Sequence, residues 1–131
     1  MTFEDSDLDL LATTKEIRVE TRSAAGEVHK TIVWPVVRDG VVYLRSYKGE
    51  QGRWYREAKA EPDIALLFDR RRLPARAVPA TDAASVEACS AALREKYPRS
   101  YSLEAMLAPA VLPTTIRIEP AASTTPVEAR P

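Results

Sequence analysis

A chain of 131 residues, 45% apolar and 29% charged, has the size and composition of one globular domain with its own core and is too short for two of ordinary size. Its 19 cationic side chains balance 19 anionic ones, which argues against a dedicated duplex-binding protein, since that needs a net basic face. One cysteine, Cys89, and one histidine, His29, exclude an intrachain disulfide and a Cys-rich zinc cage and supply a His-based metal site poorly.

No run of about 18 apolar residues occurs, and the start MTFEDSDLDL is acidic where a secretory signal is basic and then apolar, so a cytoplasmic protein is expected. Residues 5–14 (DSDLDLLATT) predict a short helix capped by Asp5 or Ser6, with Leu8, Leu11 and Ala12 on one face, plugging an end of a sheet. Glu16 to Thr21 alternates Ile17 and Val19 with charged neighbours, the period of a half-buried strand, and Ser23 to Gly26 reads as a turn. A strand follows from His29 to Val37. Pro35 within it gives nothing to a ladder and marks an edge, a bulge that re-aims Trp34, or a place where pairing stops.

Arg38-Asp39-Gly40 then joins the apolar segments Ile32–Val37 and Val41–Leu44, which is the signal for a tight β-hairpin. Past Arg45 and Ser46 comes a loop from Tyr47 to Arg53 carrying Lys48, Gly49 and Gly52. Trp54 to Ala60 has helix-forming composition and is stopped by Pro62. Ile64–Phe68 and Ala75–Val78 read as short strands around Asp69–Pro74, which holds Arg70-Arg71-Arg72. Thr81 to Tyr97 is the clearest helix, with Thr81 or Asp82 as cap, Val86, Cys89, Leu93 and Tyr97 on one face, and Pro98 past its end. A second short helix spans Ser102 to Leu107, and Thr114 to Glu119 alternates again as the closing strand. The composition thus predicts one domain over residues 1–119 and a disordered tail over 120–131. Six short strands with a helix inserted before the last make a mainly β, α+β protein built on an antiparallel barrel.

The four glycines, at 26, 40, 49 and 52, write neither a dinucleotide fingerprint nor a P-loop, and no G-x-S-x-G elbow is present. His29 reads as a surface or strand-edge histidine, Arg70 to Arg72 as a solvated hairpin tip, and Cys89 as a packing residue. The stretch Ser46–Arg53 is either a solvated connection or an anion-binding loop, and Trp54 and Tyr55 are either core aromatics or walls for a ring. A strand, a hydroxyl, a flexible cationic loop and an aromatic pair in that order suit a phosphate-bearing ring cofactor, because N–H groups and cations hold the anion while aromatics cover the ring.

Thr31-Ile32-Val33-Trp34 before the hairpin, Val42-Tyr43-Leu44-Arg45-Ser46 after it, and Gly49 followed by Gly52-Arg53-Trp54-Tyr55-Arg56 together resemble the DUF2255 family. The resemblance covers residues 3 to about 119 and places the chain with the split β-barrel flavin-binding proteins, near the pyridoxamine-phosphate-oxidase-like and deazaflavin-dependent nitroreductase groups. It implies FMN or a deazaflavin as cofactor, with Val33 and Trp34 bordering the ring. Ser46, Lys48, Arg53 and Arg56 would meet the phosphate, Gly49 would belong to the same cofactor-binding loop, and Trp54 or Tyr55 would wall the pocket. Related flavin binders often supply a cation near Arg45, but alternation from Tyr43 aims Arg45 elsewhere. A homodimer with the cofactor between subunits is also implied. The expected function is a flavin- or deazaflavin-dependent oxidoreductase passing hydride to a small molecule. Tyr47, Tyr55 or Ser46 would be the proton or hydrogen-bond donor, and no metal or membrane is involved. The alternatives are a non-enzymatic cofactor carrier or interaction module and, less favoured, a nucleic-acid binder acting through Arg70–Arg72.

Overall fold

A computed structural model describes residues 3–121 of the chain. Helix α1 (Asp5–Thr13) starts at Glu4 without a side-chain cap and buries Leu11 and Asp7. Leu8 and Leu10 pack beside Leu11 against the core, whereas Ala12, expected on the apolar face, is turned to solvent. Strand β1 (Ile17–Arg22) buries Ile17 and Val19, as their alternation predicts, and β2 (Val28–Val33) runs antiparallel to it.

The single strand expected from His29 to Val37 is divided. Strand β2 stops at Val33, and β3 (Val36–Arg38) begins beyond Trp34 and Pro35, because a residue without an N–H ends the ladder. The sheet therefore has seven strands where six were expected, in the order β2-β1-β5-β6-β7-β4-β3. Every pairing in it is antiparallel. Strands β2 and β3 occupy its opposite edges, yet only Trp34 and Pro35 separate them in sequence. Three Cα–Cα steps span at most about 11 Å, so the two edges must meet and the sheet must curl on itself. The result is a split barrel with its seam at Trp34-Pro35.

Strand β4 (Val41–Leu44) pairs with β3 through the anticipated hairpin, in which Arg38 faces Val41 across Asp39-Gly40. Both turn residues have positive φ, 52° and 77°, as a type I′ turn requires. A 3-10 turn (Gly49–Gln51) and helix α2 (Arg53–Ala60) lead to β5 (Asp63–Phe68) and β6 (Arg71–Pro79).

Strand β6 is longer than the expected Ala75–Val78 because its turn is only Asp69-Arg70, both with positive φ. Pro74 is tolerated in it for a geometric reason. Its carbonyl accepts from Ala121 N–H at 3.3 Å, so its missing N–H faces the same side, past the paired end of the last strand. Arg71 and Arg72 are consequently strand residues, with Arg71 on Asp7 at 2.5 Å and Arg72 on Glu20 at 2.8 Å. Only Arg70 of the basic run remains at the tip.

Helix α3 (Ala83–Lys96) is capped by Asp82, whose carboxylate accepts from Ser85 N–H at 3.0 Å, and it buries Cys89 and Leu93 against the β3 side of the sheet. Helix α4 (Leu103–Leu107) and a 3-10 turn (Leu112–Thr114) precede β7 (Ile116–Pro120), which lies between β6 and β4. Pro120 thus belongs to the sheet, opposite Ala75, and residues 122–131 of the expected tail lie outside the described residues. Val19, Val42, Leu44 and Leu66 are fully buried in the barrel core. No helix among the described residues is long and apolar enough to cross a membrane.

The end of α3 clamps the seam. Lys96 Nζ donates to the carbonyls of Leu11 (2.9 Å), Thr14 (2.7 Å) and Pro35 (2.5 Å), and Tyr97 Oη donates to that of Lys15 at 2.7 Å. Burial without a carboxylate pushes the Lys96 ammonium down to about 8.

Candidate functional site

A cleft of about 680 Å³ opens beside the seam, where the end of β2, the crossover, the segment after β4, the start of α2 and helix α4 converge. Of the residues singled out in the sequence, Val33, Trp34, Ser46, Tyr47, Lys48, Arg53 and Trp54 line it. The other three do not. Gly49 is buried with φ 65°, backed by the Ala110 carbonyl, Tyr55 is buried edge-on to Trp54, and Arg56 donates through Nε to Gln51 O at 3.3 Å.

Charge in the cleft has one dominant sign, with Arg45, Lys48 and Arg53 facing it and Glu16 as the one carboxylate among its lining residues. Lys48 and Arg53 are exposed, and Arg53 Nη2 donates to Thr31 Oγ1 at 3.3 Å. Arg45 is of another kind. It is 2% exposed and has no carboxylate partner among the described residues. Its Nε donates to Thr115 Oγ1 (2.9 Å), its Nη1 to Ser90 Oγ and the Met106 carbonyl, and its Nη2 to the Val86 carbonyl, the last three at 3.0 Å. A guanidinium has five N–H donors, so one on Nη2 has no protein acceptor among the described residues. Desolvation lowers the pKa of Arg45. The guanidinium does lean toward α3 and α4, as alternation suggested, and the side chain still forms part of the cleft wall.

Ser46 holds the loop in shape. Its hydroxyl donates to Gly49 O at 2.7 Å and its N–H donates to Thr114 Oγ1 at 3.0 Å. Gly52 packs so closely on this hydroxyl that a Cβ there would overlap it. The glycine pair is therefore explained by one close approach and one left-handed backbone, which seats the cationic loop at the start of α2. On the opposite wall Trp34 is stacked on Tyr97, with ring centroids 4.1 Å apart and planes 14° from parallel.

The remaining sequence candidates lie elsewhere. His29 Nδ1 sits 2.9 Å from Glu57 Oε2, and Thr21 Oγ1 donates to Glu57 Oε1 at 2.7 Å, tying β2 and β1 to α2. Burial pushes the Cys89 thiol up to about 11, as befits a packing residue. The part sequence reasoning set aside was Arg45. Its signal was available in the arginine directly following a fully apolar strand, where a charge is costly unless its surroundings use it.

A curled antiparallel sheet closed at a two-residue seam defines a split-barrel fold, here with a cationic cleft beside the seam. The chain belongs to the DUF2255 family, uncharacterised proteins conserved in bacteria, whose family model matches residues 7–118. Its fold is similar to a putative pyridoxamine 5′-phosphate oxidase from Listeria innocua (15% identity, 89% of this chain and 92% of that one, TM-score 0.64). It is similar also to the F420-H2-dependent reductase FDR-A (16% identity, 81% and 95%, TM-score 0.60). A third similar structure is HutZ, the heme storage protein from Vibrio cholerae (12% identity, 92% and 91%, TM-score 0.61). At these identities the likeness is one of fold. Among curated proteins none matches the sequence.

Proposed function

We propose that the cleft binds FMN or a deazaflavin by its phosphate and that the protein is an oxidoreductase acting on a small molecule. The observation that carries this reading is Arg45, a buried cation with no carboxylate partner among the described residues and an N–H to spare, set in the same cleft as Lys48 and Arg53. A buried charge of this kind fits a bound anion as its counterion. Lys48 and Arg53 hold the phosphate at the rim, and Val33 and Trp34 supply the apolar wall for the ring. When bound, the cofactor supplies hydride transfer. Tyr47, 58% exposed at the mouth, is the phenol placed to donate to a substrate, whereas Tyr55 acts behind Trp54 by packing. Ile32, also 58% exposed on the cleft wall, adds apolar surface at the mouth, which suits closure by a second copy in a homodimer.

Heme, held by HutZ, is less well served by these residues. The sole histidine is engaged by Glu57 away from the cleft, which leaves Met106 and Tyr47 as the side chains able to ligate iron. The test is titration with FMN, riboflavin and the deazaflavin cofactor, followed by fluorescence quenching. Lys48→Ala with Arg53→Ala is expected to cost about 1.5–3 kcal/mol of FMN affinity per charged hydrogen bond lost, with riboflavin binding unchanged. No binding of either cofactor below high micromolar concentration overturns the proposal. Binding without reduction of any acceptor supports the second reading, a cofactor carrier.

A further inference from the structure

A second groove of about 470 Å³ adjoins the cleft and shares Trp34 and Glu16 with it. Its other walls come from the segments that follow α1 and α3 and include Lys15, Tyr97, Arg99 and Tyr101, none of which faces the first cleft. We propose that this groove is a separate binding site for a small aromatic carboxylate.

Two features of the groove select such a ligand. The first is a fixed aromatic stack: Trp34 lies face to face on the buried Tyr97, whose hydroxyl is anchored on the Lys15 carbonyl at 2.7 Å, so the ring face offered to a ligand is that of Trp34. Tyr101 stands at its edge with 98% of its surface exposed, an aromatic side chain that packs on almost nothing of the chain itself. A planar ring adds to such a stack at little conformational cost, since the stack is already ordered. The second feature is charge. Lys15 and Arg99 are exposed and form no ion pair among the described residues, while Glu16 is the one carboxylate among the lining residues. Lys96 also borders the groove, but its ammonium is already committed to three backbone carbonyls. Two unpaired cations beside an aromatic stack recognise a ring that carries an acid, and the volume suits one or two fused rings. The assignment rests on Lys15, Arg99 and Tyr101, which do not line the first cleft, while Trp34 borders both sites.

Calorimetric titration of the full chain with 2-naphthoate tests it. Saturable binding is expected. The neutral 2-naphthamide and the non-aromatic cyclohexanecarboxylate should each bind about tenfold more weakly or worse. The double variant Lys15→Gln, Arg99→Gln, which alters only exposed side chains and should keep its melting temperature, is expected to weaken 2-naphthoate binding by about tenfold or more. Lys48→Gln with Arg53→Gln should leave that affinity unchanged. Absence of saturable binding at millimolar 2-naphthoate overturns the assignment. So does a Lys15, Arg99 double variant that binds like the parent, or loss of binding in the Lys48, Arg53 variant, which would move the ligand into the first cleft.

Discussion

Replacing Arg45 by methionine separates an anion-binding role from a structural one. The change removes four hydrogen bonds of 2.9 to 3.0 Å to Thr115, Ser90, Met106 and Val86. At about 1.5–3 kcal/mol for each hydrogen bond from a charged donor, the gross loss is on the order of 6–12 kcal/mol. Against it stands relief of a buried cation without a carboxylate partner, whose desolvation costs several kcal/mol. Methionine also refills most of the stem's volume with a flexible apolar chain. The two effects oppose each other, so Arg45→Met should lose far less than that sum, about 4 kcal/mol or less of stability in urea. FMN affinity should fall by about 1.5–3 kcal/mol, roughly 10- to 150-fold, while riboflavin binds as before. Urea melts followed by tryptophan fluorescence, together with the two titrations, measure both quantities. A variant destabilised by more than about 4 kcal/mol, with FMN and riboflavin weakened alike, would show the guanidinium to be a tie between helices and nothing more.

Gly52→Ala places a methyl group against Ser46 Oγ, and should cost about 1–3 kcal/mol in thermal or urea melts while loosening the cationic loop. Lys96 gives a pH signature: its ordinary value of 10.5 falls to about 8 in the folded chain, so between these values the unfolded state holds more protons and stability rises with pH. Lys96→Met abolishes that rise, and parallel stability curves for parent and variant from pH 8 to 10.5 would contradict the assignment. Glu57→Gln weakens the acceptor shared by Thr21 and His29 and should lower stability by about 1 kcal/mol, read from the urea midpoint. Leu66→Ala, at a fully buried position of β5, should cost about 2–5 kcal/mol in the same assay.

What the sequence disclosed follows the range of the interactions involved. The Asp39-Gly40 turn, the buried alternation of β1 and the cap of α3 at Asp82 are decided by neighbouring residues, and each was readable. Pro35 announced a disturbance in a strand. That its two halves would lie on opposite edges depends on pairings such as Tyr43 with Arg117, far apart in the chain, which no local pattern encodes. Arg71 and Arg72 looked like a solvated tip because their partners, Asp7 and Glu20, are brought to them only by the finished sheet. In the cleft, local order already collected Ser46, Tyr47, Lys48, Arg53 and Trp54, and the family resemblance added Val33 and Trp34. The setting of Arg45 escaped for the opposite reason, since its acceptors sit on α3, α4 and the approach to β7, elements that come much later in the chain.

The position of β7 has a consequence for biosynthesis. Strands β2, β1, β5 and β6 form one ribbon and β4 with β3 another, and the final strand is the only hydrogen-bonded bridge between them among the described residues. A nascent polypeptide that has emerged only as far as Thr115 owns two ribbons linked through Trp34-Pro35 but not paired with each other, so the continuous sheet is complete only after the keystone strand has left the ribosome. A nonsense codon just ahead of Ile116 is therefore expected to abolish binding at both proposed sites, although every side chain assigned to either pocket had already been translated.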